Sequence, residues 1–348
     1  MKVTLKDIAK ILNVNEATVS YVLNNRPKAQ TFKAETREQI LKIAQALNYH
    51  PNAAAQALST KKTGNIGFIL SDQIEDLWEN PYFARLLAGI EEECREKNVG
   101  LLINAYNLSN LNEFIFPRQV NQSRVDGLIL SGYIANEIIE KFQAASVPFV
   151  CLGGNLEDPS KDVVTYSFDM NMVMLEVFKH IRRMGHRRIA YPVPNAYALL
   201  KRAETLKEML DTELKDVELI PVLLPDKECN SNSVDFIFDC IFSQPASRRA
   251  TALVTSIQAC LGMCRKLRRE NMQCPRDLSL MSTIDCSSCL YSDPPLAGIN
   301  LNLKKLASNA TAALLAHLND GVPLQRTVCR DVEDIKIVLR ESCVDLKH

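Results

Sequence analysis

LKDIAKILNVNEATVSYVLN, residues 5–24, places apolar side chains at Leu5, Ile8, Ala9 and Ile11–Leu12, a stripe of helical period. Asn13–Val14 interrupts the stripe as a short turn. A second amphipathic run follows, with Ala17, Val19, Val22 and Leu23 expected inside and Asn15, Glu16, Thr18, Ser20 and Tyr21 outside. Two short helices joined by so tight a turn must cross, which leaves the outer face of the second free to enter a DNA major groove. Small and hydroxyl-bearing residues on that face suit close approach to base edges and phosphates. An ordinary helical hairpin would carry the same pattern, so the charge distribution has to decide.

Residues 1–62 hold ten Lys and Arg against four Asp and Glu, a net +6; the whole chain has 41 of each, so the remainder carries −6. A small basic head on an acidic body is the electrostatic footprint of a polyanion-binding module. The 348 residues, 47% apolar and 24% charged, suffice for two or three domains with a large core. No apolar run is long enough for a membrane span. The start, MKVTLKDIAK, lacks an apolar core followed by a small-residue cleavage site, so a cytoplasmic location without membrane contact is expected.

Eleven cysteines, an odd number scattered along the chain, argue for reduced thiols. Cys260 and Cys264 lie on an apolar helical pattern, ACLGMCRKL, where thiols behave as small hydrophobes. Cys286-Ser287-Ser288-Cys289 has no matching pair at zinc-ribbon spacing. No metal and no cofactor are expected.

Downstream of the two crossed helices, AETREQILKIAQALNY forms a third, with Ile40, Leu41, Ile43, Ala44 and Leu47 as its inner stripe, and Tyr49-His50-Pro51-Asn52 ends it. The segment from Asn52 to Ser59, with Asn52 available as N-cap, is too short for a stable isolated helix and would fold only when a partner buries it. Thr60 to Gly64 is a polar linker. From Asn65 the pattern changes to strand-helix alternation: NIGFILS, AGIEEECREKNVG, LLINAY, VDGLILSGY and VPFVCLGG form one series. A second series starts near Val163, with VVTYSF, MNMVMLEVFKHIRRMG and RRIAYPV, and continues through ATALVTS and LSLMSTI. Such alternation specifies α/β lobes with doubly wound parallel sheets and a cleft between them. DPPLAGINLN and the following helix look like a crossing back to the first lobe.

The whole chain resembles the lactose-repressor (LacI) family of bacterial transcription regulators. The segments that carry the resemblance are TLKDIAKILNVNEATVSYVLN, YHPNAAAQALSTKKTGNIGFIL, NPYFARLLAGIEEE, RVDGLILS, MGHRRIAY and PPLAGIN. It implies a three-helix helix-turn-helix head (1–50), a hinge helix and linker (51–63), and a two-lobed core like a periplasmic binding protein. Its first lobe would comprise 64–162 plus about 293–325, and its second 163–292 plus about 326–348. It further implies a homodimer on a near-palindromic double-stranded operator, most often in repression, with a small-molecule effector in the cleft.

By the same resemblance Asn15 to Asn24 is the recognition helix. Glu16, Ala17 and Tyr21 take base-reading positions, Thr18, Ser20 and Asn24 lie mostly on the phosphate side, and Thr4, Asn15 and Asn52 also belong to the DNA-facing set. Tyr21 departs from the family's common arginine, whose bidentate contact with guanine it cannot reproduce. It either meets a thymine methyl with its ring or packs as a surface aromatic. Leu58 matches the leucine that wedges into the minor groove, and Ala55 its small neighbour.

In the cleft the resemblance weakens. Gly153 and Gly154 replace an Asp-Arg pair, Ser256-Ile257 an Asn-Asp pair, and Ile284 an aspartate, although Asp285 follows. Asp169 and Arg202 remain, either holding a ligand or pairing with each other. Tyr82 and Phe83 match the aromatic side of the cleft or pack in the core. Without most of the polar fan that a pyranose needs, the expected effector is not a typical sugar, and none is an open alternative. Five scattered histidines, and the absence of a phosphate loop, G-x-S-x-G or H-E-x-x-H, exclude the common enzyme classes. A solute-binding protein would explain the lobes but not the basic head, and salt-dependent duplex binding separates the two.

Overall fold

The computed structural model describes residues 3–24, 27–50, 57, 60–71, 77–153, 163–195, 197–226, 229–325, 327–329 and 335–346. They fall into two compact units, Met1–Gly64 and Asn65–His348.

In the first unit, α1 (Leu5–Leu12) starts at Thr4, whose hydroxyl accepts the Asp7 N–H while the Asp7 carboxylate accepts the Thr4 N–H. It stops at Asn13, at a left-handed φ of 50° that asparagine tolerates. Asn15 caps α2 (Glu16–Leu23), its Oδ1 accepting the Ala17 N–H at 2.8 Å. With α3 (Ala34–Ala46) these helices enclose Ile8, Val19 and Ile40, each 0% exposed, and Ala9, Val22, Ala29 and Ala44 around them. Three residues expected inside are out: Ile11 and Leu41 are 56% and 53% exposed, and Ala17 is exposed too. So small a core admits one narrow stripe per helix, and a residue one step off that stripe is turned about 100° away.

The second unit alternates strand and helix. Its first half runs β1 (Asn65–Ser71), α4 (Pro81–Glu96), β2 (Gly100–Tyr106), α5 (Arg118–Asn121), β3 (Gly127–Ser131), α6 (Asn136–Ala144), β4 (Phe149–Leu152) and β5 (Thr165–Phe168). There follow α7 (Met170–Arg183), β6 (Arg188–Val193), α8 (Tyr197–Glu213), β7 (Glu218–Leu223), α9 (Val234–Phe242), β8 (Ala252–Thr255), α10 (Ile257–Arg269) and β9 (Ser279–Ser282). It ends with α11 (Ser287–Leu290), β10 (Ala297–Leu301), α12 (Leu303–Asp320), β11 (Thr327–Cys329) and β12 (Ile335–Val338).

One sheet has the order β11-β5-β4-β3-β1-β2 and is parallel throughout; the other, β12-β10-β9-β8-β6-β7, is parallel except where β12 runs against β10. Strands β1 and β3 are entirely buried apart from Asn65, as expected of a parallel sheet covered on both faces. In each sheet the strand order reverses beside the first strand of its series, and ligands of open α/β sheets bind at the carboxyl ends there.

Three lobe assignments differ from the sequence expectation, one of them Thr327–Cys329, expected in the second lobe but paired with Thr165–Phe168 in the first sheet. Thr165–Phe168, expected to open the second lobe, pairs with Phe149–Leu152 and completes the first sheet. Ala297–Leu301, expected to return to the first lobe, pairs with β9 and β12 in the second. The return is made by α12, packed lengthwise on α4 with Lys304 Nζ 2.9 Å from Glu92 Oε1 and Ser308 Oγ donating to Glu93. Apolar runs mark strands equally well in either sheet, so the pattern alone could not say which lobe each one joins. Among the described residues the chain passes between the sheets three times: after β5, after β10 and between β11 and β12.

His186 fastens the C-terminal segment to the second lobe. It is 0% exposed, with Nε2 3.0 Å from the Val344 carbonyl and Nδ1 2.9 Å from Thr251 Oγ1. The carbonyl only accepts, so Nε2 bears the hydrogen and Nδ1 accepts from Thr251. Burial holds the imidazole below its ordinary pKa, and His180 is held down for the same reason. Below the unfolded value of about 6.5 the unfolded chain binds protons that the native state resists, so stability falls as pH drops from there. Urea midpoints should therefore decrease between about pH 7.5 and 5.5. A smaller decrease in His186→Gln would identify this residue as the source; an equal one would exclude it.

Candidate functional site

On the first unit, the outward face of α2 is set by the inward one. Val19 and Val22 are buried, and this turns Glu16 and Ala17 fully outward and leaves Thr18, Ser20, Tyr21 and Asn24 half-buried. Lys6, Lys10, Lys28 and Lys33 are exposed on the same small unit. Several of the hydrogen-bonding side chains are already oriented. Thr4 is fixed in its capping box, Asn15 in its cap, and Asn24 Nδ2 donates to the Ser20 carbonyl at 2.8 Å and to Ser20 Oγ at 3.2 Å. Tyr21 leans on the head core, its ring 6.4 Å from that of Phe32, with the Lys28 ammonium 5.3 Å from its centroid. The ring is thus partly engaged in packing, while its remaining edge lies on the helix face that carries Ala17. Asn52, Ala55 and Leu58, with the hinge helix, lie outside the described residues.

In the second unit a polar cluster bridges the lobes at the carboxyl ends of the strands. Tyr82, in the first turn of α4, comes from the first lobe; Tyr191 on β6 and Arg202 on α8 come from the second. Burial pushes the Tyr82 phenol up to about 12 and raises that of Tyr191, while the Arg202 guanidinium beside both opposes the rise. Both hydroxyls stay protonated at neutral pH, with the Arg202 cation near enough to act on each. Among the described residues no carboxylate forms an ion pair with Arg202. Cys229 extends the cluster, its sulfur 3.0 Å from Thr255 Oγ1 and next to Ser256, whose hydroxyl caps α10 by accepting the Ala259 N–H at 3.2 Å.

Gly153 explains a departure seen in the sequence. A Cβ at this position, which has a φ of +101°, would lie 2.4 Å from Tyr82 Oη and 3.6 Å from Ser131 Oγ. Tyr82 occupies the space in which a side chain at 153 would stand.

The structure gathers Tyr82, Arg202 and Ser256 around this cluster and leaves three other expected residues with different partners. Phe83 is 7% exposed in the apolar core, its ring edge-on to Tyr82 at 5.1 Å. Asp169 is the N-cap of α7 and accepts the Met172 N–H at 3.3 Å. Asp285 is held 2.7 Å from Arg340, an ion pair without aligned hydrogen-bond geometry. Tyr191, Cys229 and Thr255 were not singled out by sequence. For Cys229 and Thr255 the one available signal was position at or after the carboxyl end of an expected strand.

Comparison with known proteins gives three family matches. The profile described as bacterial regulatory proteins, lacI family, covers residues 4–52. The one described as periplasmic binding proteins and sugar binding domain of LacI family covers 63–213, and a periplasmic binding protein-like domain covers 178–343. Among similar proteins, the ribose operon repressor of Haemophilus influenzae is 26% identical over 99% of both chains. Catabolite control protein A of Staphylococcus xylosus is 26% identical over 92% of this chain and 94% of its own. The transcriptional repressor PurR of Aliivibrio fischeri is 27% identical over 91% and 92%. These relatives are regulators, none of them named as an enzyme. Among solved structures, the lac repressor dimer bound to operator and an anti-inducer matches with a TM-score of 0.75 at 20% identity, over 99% of this chain and all of the other. The regulator CelR in complex with cellobiose matches at 0.66 and 19%, over 98% and 100%. No helix among the described residues is long and apolar enough to cross a membrane.

Proposed function

We propose that this chain, which belongs to the LacI family of bacterial regulatory proteins and is a DNA-binding transcriptional regulator, represses in the cytoplasm by docking as a homodimer on a near-palindromic operator. The observation that carries the reading is the outward face of α2. Its buried valines turn Glu16 and Ala17 outward and leave Thr18, Ser20, Tyr21 and Asn24 half-exposed, on a head of net charge +6, which supports base contacts from Glu16, Ala17 and Tyr21 and phosphate contacts from Thr18, Ser20 and Asn24. Thr4 and Asn15 frame that face, and Asn52, Ala55 and Leu58 would complete it in the minor groove. Selection of bound duplexes from a random pool tests it directly and should return two inverted half-sites. Tyr21→Arg should shift one position of each half-site toward guanine, since arginine alone forks onto its N7 and O6. A motif indifferent to that substitution would remove Tyr21 from the reading set.

The interlobe cluster supports a small-molecule effector bearing an anionic group. A guanidinium near two protonated phenols offers three donor groups to a carboxylate or phosphate. It offers few acceptors for sugar hydroxyls, and Gly153 leaves no side chain to add one. The ligand would act by differing in affinity for two lobe arrangements, the only way an effector shifts such an equilibrium. Calorimetry against panels of sugars and of small organic anions should find the ligand in the second panel, with binding lost in Arg202→Ala. Micromolar binding of a common hexose that depends on Arg202 would overturn the assignment.

A further inference from the structure

We infer that Cys286 and Cys289 form a dithiol that hydroperoxides convert reversibly into a disulfide, a modification site on the second lobe. The Cys289 N–H donates to the Cys286 carbonyl at 2.9 Å, closing a turn of four residues. Such a turn brings its end Cα atoms within about 7 Å, near the span that a disulfide bridges. The sulfurs already stand 4.0 Å apart, at van der Waals contact. Forming the bond therefore asks for side-chain rotation and little from the backbone.

The two thiols are unequal in the way a sensing pair requires. Cys289 is 0% exposed, and its sulfur also lies 3.3 Å from the Ile284 carbonyl, which it can reach as donor. Cys286 is half-buried, with the Cys289 sulfur and the N–H and hydroxyl groups of Ser288 and Cys289 close to its own sulfur. These neighbouring donors hold its thiol below the usual cysteine range. An accessible thiolate thus stands in front of a shielded resolving thiol. Cys264 and Cys274 also lie close to each other, but there the thiol that is held lower, Cys264, is 4% exposed. Among the described residues no cluster of three ligating side chains joins the pair into a metal site.

The chemistry balances with the hydroperoxide as sole oxidant. The Cys286 thiolate attacks the outer peroxide oxygen; an S–O bond forms, the O–O bond breaks, and the departing alkoxide takes up a proton to leave as an alcohol. Cys289 then loses its proton and attacks the Cys286 sulfenic sulfur. The S–S bond forms, the S–O bond breaks, and hydroxide leaves as water with that proton. Two thiols and one hydroperoxide give one disulfide, one alcohol and one water. The bridge would withdraw Cys289 from the Ile284 carbonyl, which also accepts from Ser282 Oγ at 2.6 Å. The change reaches the segment whose Asp285 N–H is bonded to the Ile299 carbonyl and whose carboxylate meets Arg340.

The test treats the full-length reduced chain with about one equivalent of hydrogen peroxide, blocks the remaining thiols, and maps peptides by mass. The expected product is a Cys286–Cys289 link, two mass units lighter, reversed by dithiothreitol. Cys286 in the untreated chain should alkylate at least about tenfold faster than Cys274 at neutral pH. Cys286→Ser, at a half-buried position, should retain native circular dichroism and give no such link. Cys289→Ala should leave a Cys286 sulfenic acid that a cyclic 1,3-dione traps. A first disulfide between Cys264 and Cys274, direct passage of Cys286 to sulfinic acid in the unaltered chain, or equal alkylation rates would overturn the inference.

Discussion

Residues 65–348 alone should show no measurable affinity for a duplex that the full-length chain binds, a loss of about a thousandfold or more. The two units are separately compact, so the truncated chain keeps its core. It also keeps the acidic −6 and loses the basic +6. Phosphate contacts supply the sequence-independent part of DNA affinity by releasing condensed cations, and an acidic body offers no replacement. In the full-length chain the same term should appear as a steep salt dependence. A head making six or more phosphate contacts predicts a fall of about 10³-fold between roughly 50 and 200 mM salt. Fluorescence anisotropy on both proteins measures it. Binding by residues 65–348 within tenfold of the full-length value would mean that the head is not the DNA-binding element.

Gly89→Ala should be the most damaging single methyl addition to the second unit. A Cβ there would lie 2.2 Å from the Lys304 carbonyl oxygen and 2.9 Å from Ala307 Cβ, both on α12. Backbone cannot rotate away as a side-chain tip can, so the helices must separate. Overpacking of this kind costs about 1–3 kcal/mol or more, against roughly 1 kcal/mol gained because alanine favours helix over glycine. Gly89→Val, with no better helix propensity and two more methyls, should cost more still and lower Tm by on the order of 5–10 °C. Gly321→Ala is the control: it ends α12 at a φ of +69° with nothing within 4 Å, so only backbone strain opposes it. If Gly89→Ala melted no lower than Gly321→Ala, the close contact of α4 with α12 would not matter to stability.

Local pattern carried much of this molecule and failed at identifiable points. Helical periodicity found Ile8, Val19 and Ile40, whereas Ile11, Ala17 and Leu41 needed the size of the core to be known. Strands β11 and β12 were not named, while β1 to β10 were visible as apolar runs. Their sheets were not, because β5 pairs with β11 about 160 residues later and only folding reveals such a partner. In the cleft, Arg202 and Tyr82 were singled out only through family resemblance. Tyr191 hid within an apolar strand and Cys229 in a polar loop, with no spacing to connect them. Asp285 was named for its place after a late strand, and no spacing announced its partner Arg340, 55 residues on.

The threefold passage between sheets has a consequence for synthesis on the ribosome. The first lobe is translated through Phe168, yet its covering helix starts at Leu303 and its outer strand ends at Cys329. The entire run from β6 to β10 emerges in between. At about 5–20 residues per second, roughly 7–30 s pass with the Gly89 face of α4 uncovered and the edge of β5 unpaired. During that interval the nascent chain presents an apolar helix face and an open strand edge, the features that chaperones and other nascent chains recognise. The second lobe, whose strands β6 to β10 are contiguous in the chain, can assemble most of its sheet before the earlier-made half receives its covering helix and outer strand.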